Sequence, residues 1–116
     1  MFRVLALLAK KADVDTEAFI DYYERRHVPL ICSLAPPPTV YKRRYIRHDE
    51  RLTTAGGTVD FDVAVELAFP DRAAFEAWMA RLSGPGAGDL VGADEAKFLD
   101  RSRTRAYVVE EYVTSG

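Results

Sequence analysis

His27 is the side chain in this sequence best suited to chemistry. On a helical wheel it falls among Phe19, Ile20, Tyr23, Leu30 and Ile31, inside an apolar arc. A neutral imidazole facing an apolar layer can accept a proton, which a general base needs. Pro29 follows it closely and has no N–H, which frees a backbone carbonyl one turn earlier. That carbonyl supplies the alternative, a core histidine satisfied by one backbone bond. Tyr23 lies one helical turn before His27, so the two side chains are neighbours. Its phenol could orient the imidazole or bind a substrate oxygen; otherwise it is a core aromatic with its hydroxyl at the rim. Tyr41 and Tyr45 could line the same pocket, or simply pack across strands. Trp78 is a further candidate for the pocket wall, at a position that reads first as core.

The remaining titratable groups carry weaker signals. His48 sits beside a polar loop and is expected to be exposed. A His27–His48 metal pair would need further ligands, and no metal-ligand spacing is visible. Asp62 and Glu66 share one face of a strand. They are read as salt-bridge partners of Arg43 or Arg44 at a subunit interface sooner than as acid/base groups. Cys32 is the single cysteine, so the chain can form no internal disulfide and no cysteine-based metal site. It behaves as a small hydrophobe, and one thiol fits a reducing cytoplasm. No phosphate loop, dinucleotide fingerprint or haem motif is present. Gly84, Gly86 and Gly88 are interrupted by Pro85 and follow a helix, so they read as a turn. An enzyme built on this chain is expected to work without the usual organic cofactors.

The elements that must hold these groups can be read from patterning. The chain has 116 residues, 48% hydrophobic and 29% charged, the size and balance of one globular domain over residues 1–116. A formal net charge of -2 gives no global field toward nucleic acid or anionic membrane. The cluster Lys42-Arg43-Arg44 with Arg47 alternates along a strand, where it solvates a face. Phe2 to Ala9 is apolar enough for a buried strand. It is too short for a secretory leader, and its lysines follow it instead of preceding it. Asp15 should cap a helix running to about Val28, kinked or stopped near Pro29. Pro36 to Pro38 force an extended connection. Thr39 to His48 reads as a second strand, and Asp49 to Gly57 as the most mobile loop.

Phe61, Val63, Val65, Leu67 and Phe69 alternate with Asp62, Ala64, Glu66 and Ala68, the period of a third strand with one buried face. Asp71 caps a second helix whose stripe is Phe75, Trp78, Met79 and Leu82, ended by Gly84-Pro85. Gly86 to Gly92 reads as loop, Ala93 to Asp100 as a short third helix. Arg103 to Val113 reads as a fourth strand, with Tyr107, Val109 and Val113 on one face. The order β-α-β-β-α-β is the split, ferredoxin-like α+β arrangement with a four-stranded antiparallel sheet. Helices on one face leave the other uncovered, and a monomer rarely exposes such a patch. A homodimer that pairs two sheets is therefore expected.

Three segments together resemble the EthD family. They are Phe19-Ile20-Asp21-Tyr22-Tyr23-Glu24-Arg25-Arg26-His27-Val28-Pro29-Leu30, then Phe61 to Phe69 with its capped helix, then Asp94 to Arg103 leading into Val108-Val109-Glu110-Glu111. They span nearly the whole chain in order. The resemblance implies a dimeric α/β barrel, and a menu of reactions: cofactor-independent oxygenation of aromatic polyketides, cyclisation, dehydration or lactone isomerisation. The expectation is a cofactor-free enzyme on a hydrophobic, aromatic or polyketide-like molecule, with His27 as the base and oxygenation placed first by family analogy alone. Two other readings stand beside it: a non-catalytic carrier of a hydrophobic ligand, and a structural dimer in which His27 only bonds within the core.

Overall fold

The computed structural model describes residues 1–54, 56–57 and 59–116. Four strands, β1 (Phe2–Leu8), β2 (Val40–Tyr45), β3 (Val63–Phe69) and β4 (Arg105–Val109), form one antiparallel sheet in the order β2-β3-β1-β4. The helices are α1 (Thr16–Tyr22), α2 (Val28–Leu34), α3 (Arg72–Ser83) and α4 (Ala87–Glu95). This is the ferredoxin-like α+β architecture that the element order predicts, with an added helix after α3. Among the described residues no helix is long and apolar enough to cross a membrane.

Register decides which residues share a face. Val4, Ala6 and Leu8 of β1 stand opposite Leu67, Val65 and Val63 of β3, and Tyr41, Arg43 and Tyr45 of β2 stand opposite Leu67, Val65 and Val63 from the other side. These residues face the helices. Val63, Val65, Leu67 and Phe69 are all buried, so the alternation in β3 reads as expected. Phe19, Tyr23 and Phe98 complete the core as a mutually tilted aromatic group, with ring centroids 5.5–6.1 Å apart.

Asp15 and Asp71 cap α1 and α3, accepting from the amides of Ala18 and Ala74 at 2.8 Å each. The first helix neither stops nor breaks at Pro29. A widened π turn, Tyr23–His27, joins α1 to α2, and the Val28 amide bonds the Tyr23 carbonyl five residues back. Pro29 then lies in the first turn of α2, where a missing N–H is tolerated. Such π turns concentrate at functional sites.

Several boundaries differ from expectation. The segment read as loop over 86–92 is helix α4, and the helix expected over 93–100 is confined to its last residues; residues 96–98 are turn, and Leu99 makes a bridge to Lys10. The signal was masked because Gly88 and Gly92 weaken helix propensity. Gly86 starts α4 with φ at +79°, and a Cβ on Gly88 would stand 3.1 Å from the Ser83 carbonyl oxygen. Gly86 supplies the positive φ that opens α4, and Gly88 lets α4 lie tightly against the end of α3.

The fourth strand is also shorter than Arg103 to Val113. Its pairing ends at Arg3↔Val109. Arg101–Arg103 form a 3-10 turn capped by Asp100, and Tyr112 and Val113 are exposed. Strands β2 and β3 likewise end where their mutual pairing ends, at Tyr45↔Val63. Outside them, the Ile46 amide bonds the Asp62 carbonyl at 2.8 Å. Within the loop expected over 49–57, Ala55 lies outside the described residues.

Candidate active site

A cavity of about 440 Å³ opens between the helix-facing side of the sheet, the π turn and the α3–α4 pair. Tyr23, His27, Tyr41, Glu95 and Arg101 bring polar groups to its wall, and the rest of the lining is mainly apolar. That size and character suit a small hydrophobic ligand held by a few polar groups.

The π turn places His27 where it can be used. The ring is 5% exposed and packs between Tyr23 and Phe98, with centroids 4.9 and 5.0 Å away. Its Nδ1 lies 2.8 Å from Asp94 Oδ2. The other oxygen, Oδ1, accepts the Tyr22 hydroxyl at 2.7 Å. An ionised carboxylate only accepts, so Nδ1 carries the hydrogen, and in the neutral ring Nε2 carries the lone pair. Among the described residues Nε2 has no hydrogen-bond partner, and it is not among the sealed, unpaired buried atoms; it opens to the cavity that His27 lines. A base whose far nitrogen is fixed by a buried carboxylate has the orientation that general-base catalysis needs. The carbonyl-bonded core histidine of the alternative reading is not what the structure contains, since the partner is a side chain.

Two phenols lie deeper along the wall. The Tyr23 and Tyr41 hydroxyls are 3.5 Å apart, and burial pushes both phenols above their ordinary pKa, Tyr23 the further. Both stay neutral donors at any physiological pH. The Arg43 guanidinium lies over the Tyr41 ring at 4.8 Å. Burial, followed by the bond to Asp94, raises Tyr22 to about 12.

Tyr45 belongs elsewhere. Its hydroxyl donates to Glu24, which also receives Arg43 Nε at 2.9 Å. The Arg43 bonds, the largest influence, together with Tyr45 hold the Glu24 carboxyl below its usual range. This network ties the π turn to β2 outside the cavity. Trp78 lines the cavity, and its Nε1 is buried without a partner.

Other candidates are also placed. His48 is exposed, with Nε2 3.0 Å from Asp62 Oδ1, while Asp62 Oδ2 accepts the Lys10 amide at 2.8 Å. Glu66 pairs with Arg44 within one chain at 2.7 Å, on the sheet face away from the helices. Among the described residues no group of three or more histidine, cysteine or carboxylate side chains is arranged to hold a metal ion.

Sequence reasoning missed Asp94 and Glu95 as site residues. They lie 67 and 68 positions beyond His27, at the end of α4, within the segment read as a short helix. The visible signal was two adjacent carboxylates within the family-like C-terminal segment. Burial pushes the Glu95 carboxyl upward, against the lowering influence of His27 and then Arg101.

A family model described as the EthD domain matches residues 11–102. No curated protein matches the chain. Among solved structures, an EthD (ethyl tert-butyl ether) family protein from Bacillus halodurans is 21% identical, with a TM-score of 0.63 over 97% of this chain and 100% of that one. An uncharacterised NIPSNAP domain protein from Burkholderia xenovorans is 14% identical, with a TM-score of 0.62 over 100% and 99%. HapK from Hahella chejuensis is 16% identical, with a TM-score of 0.56 over 100% and 96%. At these identities the likenesses speak for the fold, whereas the domain match covers most of the sequence, including the π turn and the Asp94–Glu95 pair: the chain belongs to the EthD family.

Proposed function

We propose that this protein is a cofactor-independent enzyme that removes a proton from a hydrophobic, aromatic or polyketide-like small molecule bound in the cavity. The observation that carries the reading is the His27–Asp94 pair, with Nε2 of the imidazole directed at an apolar cavity. Nε2 takes the proton of an acidic C–H or phenol. Asp94 keeps the ring in the accepting tautomer and stabilises the imidazolium that forms. Tyr23 and Tyr41 supply neutral hydroxyls for a substrate oxygen, and Trp78 supplies a flat wall.

With an anthrone-type substrate the resulting carbanion is electron-rich. Dioxygen can oxidise it: the carbon bonds one oxygen to give a hydroperoxide, which loses water and leaves a carbonyl. The net change converts CH2 and O2 into C=O and H2O, a monooxygenase outcome. Without oxygen, return of the proton to another atom gives isomerisation, cyclisation or dehydration from the same first step.

Deuterium exchange at the anthrone methylene, followed by proton NMR under nitrogen, isolates that first step from any oxidation. The protein is expected to accelerate exchange above the buffer rate, with saturation in anthrone. Saturable binding without exchange would replace the enzyme by a carrier of hydrophobic ligands. Admitting air then tells whether the carbanion goes on to the quinone.

We further propose that the domain works as a homodimer in the cytoplasm, through the sheet face that no helix covers. Leu5, Leu7, Tyr107 and Val109 lie on that face, with Tyr107 54% exposed. A patch of this kind is better covered by a second copy. Sedimentation equilibrium at micromolar concentration should give a dimer for the wild type and a monomer for Leu5→Asp/Tyr107→Asp. A monomeric wild type would rule this arrangement out.

A further inference from the structure

We propose that Glu95 is a second catalytic group, a protonated carboxyl that donates to the carbonyl oxygen of the substrate while His27 removes the proton. The catalytic half of this assignment rests on His27 acting as the base; the carbonyl-binding half does not.

Asp94 and Glu95 are consecutive in the last turn of α4, so their side chains diverge by roughly 100° around the helix axis. Asp94 turns to His27 and Tyr22, and Glu95 turns to the cavity wall that His27 also lines. The two residues therefore divide the work by geometry: one holds the base, the other meets the ligand. The Glu95 side chain is 28% exposed, and its nearest cation is Arg101, whose Nε stands 3.7 Å from Oε1. The contact is an ion pair too long for a hydrogen bond, so the carboxyl keeps its hydrogen-bonding capacity for a ligand. The titratable and charged groups facing it are His27 from the π turn, Arg101 from the 3-10 turn and Asp94 on its own helix. Burial outweighs the lowering influence of His27 and Arg101 and moves the carboxyl upward, the direction that a proton donor needs.

A neutral carboxyl in an apolar site can donate to an oxygen that gains negative charge. In the step proposed, the C–H bond breaks and its proton goes to His27 Nε2. The electron pair moves into the new C=C bond, and the carbonyl oxygen becomes an enol oxygen bonded by the Glu95 proton. Charge therefore never accumulates unpaired on that oxygen. The inference narrows the substrates to ketones with an acidic C–H conjugated to the carbonyl.

Two measurements test this, each with a defined probe. The first is anaerobic deuterium exchange of anthrone. Glu95→Leu should lower the rate by about 10²–10³-fold, the usual cost of one donor to a developing oxyanion. Glu95→Gln keeps a neutral donor and should stay within roughly tenfold of wild type. Wild-type exchange should also fall as pH rises through the Glu95 titration, because the donor is lost there, and Glu95→Gln should lack that fall. The second is binding of fluorenone, a ketone with neither hydroxyl nor acidic C–H. Its affinity should weaken over the same pH range in wild type and stay flat in Glu95→Gln. Equal exchange in Glu95→Leu and wild type, or identical fluorenone pH profiles for wild type and Glu95→Gln, would overturn the assignment even if His27→Ala abolished exchange. Conversely, no exchange in wild type with pH-linked fluorenone binding would leave Glu95 as the carbonyl donor and remove the base.

Discussion

His27→Ala should lower anaerobic exchange of the anthrone methylene by about 10²–10⁴-fold, the range in which a positioned general base acts. The reason lies in the arrangement of the ring. Nδ1 is occupied by Asp94 at 2.8 Å, so the ring cannot turn away, and Nε2 is its only atom free to take a proton. No other imidazole is near: His48 is bound to Asp62 at the far edge of β2 and β3. The substitution also empties part of the cavity wall and leaves Asp94 without one of its two donors. A cost in stability of about 1–3 kcal/mol therefore accompanies it. Fluorenone affinity separates the two effects. It should change little in folded His27→Ala, because the carbonyl donor lies elsewhere. His27→Gln is a gentler control that fills the space but cannot accept and pass a proton. An exchange rate unchanged in both variants would leave His27 with a structural role only.

Asp94→Ala should be the most destabilising single change at the site. The carboxylate is 8% exposed and receives both the Tyr22 hydroxyl and His27 Nδ1. Truncation strands two donors in a region that excludes water, at about 1–3 kcal/mol each. The total is about 3–5 kcal/mol. For a domain of this length that lowers Tm by roughly 12–20 °C, readable by calorimetry. The salt bridge between Asp21 and Arg25 provides contrast. Its side chains are 63% and 80% exposed, and Asp21→Ala should cost no more than about 0.5 kcal/mol. Tyr22 gives an independent spectroscopic readout. Burial and then the bond to Asp94 raise it to about 12, so Asp94→Ala should bring its ultraviolet titration downward. A stability loss below about 1 kcal/mol, with Tyr22 unmoved, would mean that Asp94 does not join these two elements.

What the chain reveals without its structure is whatever depends on neighbours a few residues apart. The alternation from Val63 to Phe69 marks the buried face of β3, and Asp15 and Asp71 cap their helices as their types require. The apolar arc from Phe19 to Ile31 puts Tyr23 and His27 on the core side, and the three family-like segments identify the fold. These are readings of local periodicity and of backbone hydrogen bonding, which a sequence carries directly. What only the tertiary structure decides are the partners brought from far along the chain. Asp94 meets His27 because the glycines of α4 let that helix settle against α3. Tyr45 faces the helices, as its alternation with Tyr41 implies, yet its hydroxyl is claimed by Glu24 and Arg43 instead of the cavity. Strand β4 ends at Val109, where its pairing with β1 stops, although Tyr112 and Val113 would favour a longer strand. The π turn at Tyr23–His27 could be suspected from Pro29, but its outcome, a continuous helix that turns the imidazole into a cavity, depends on the packing of Phe98 and Asp94 around it. Local pattern sets which side chains face inward; the register between remote segments sets which of them meet.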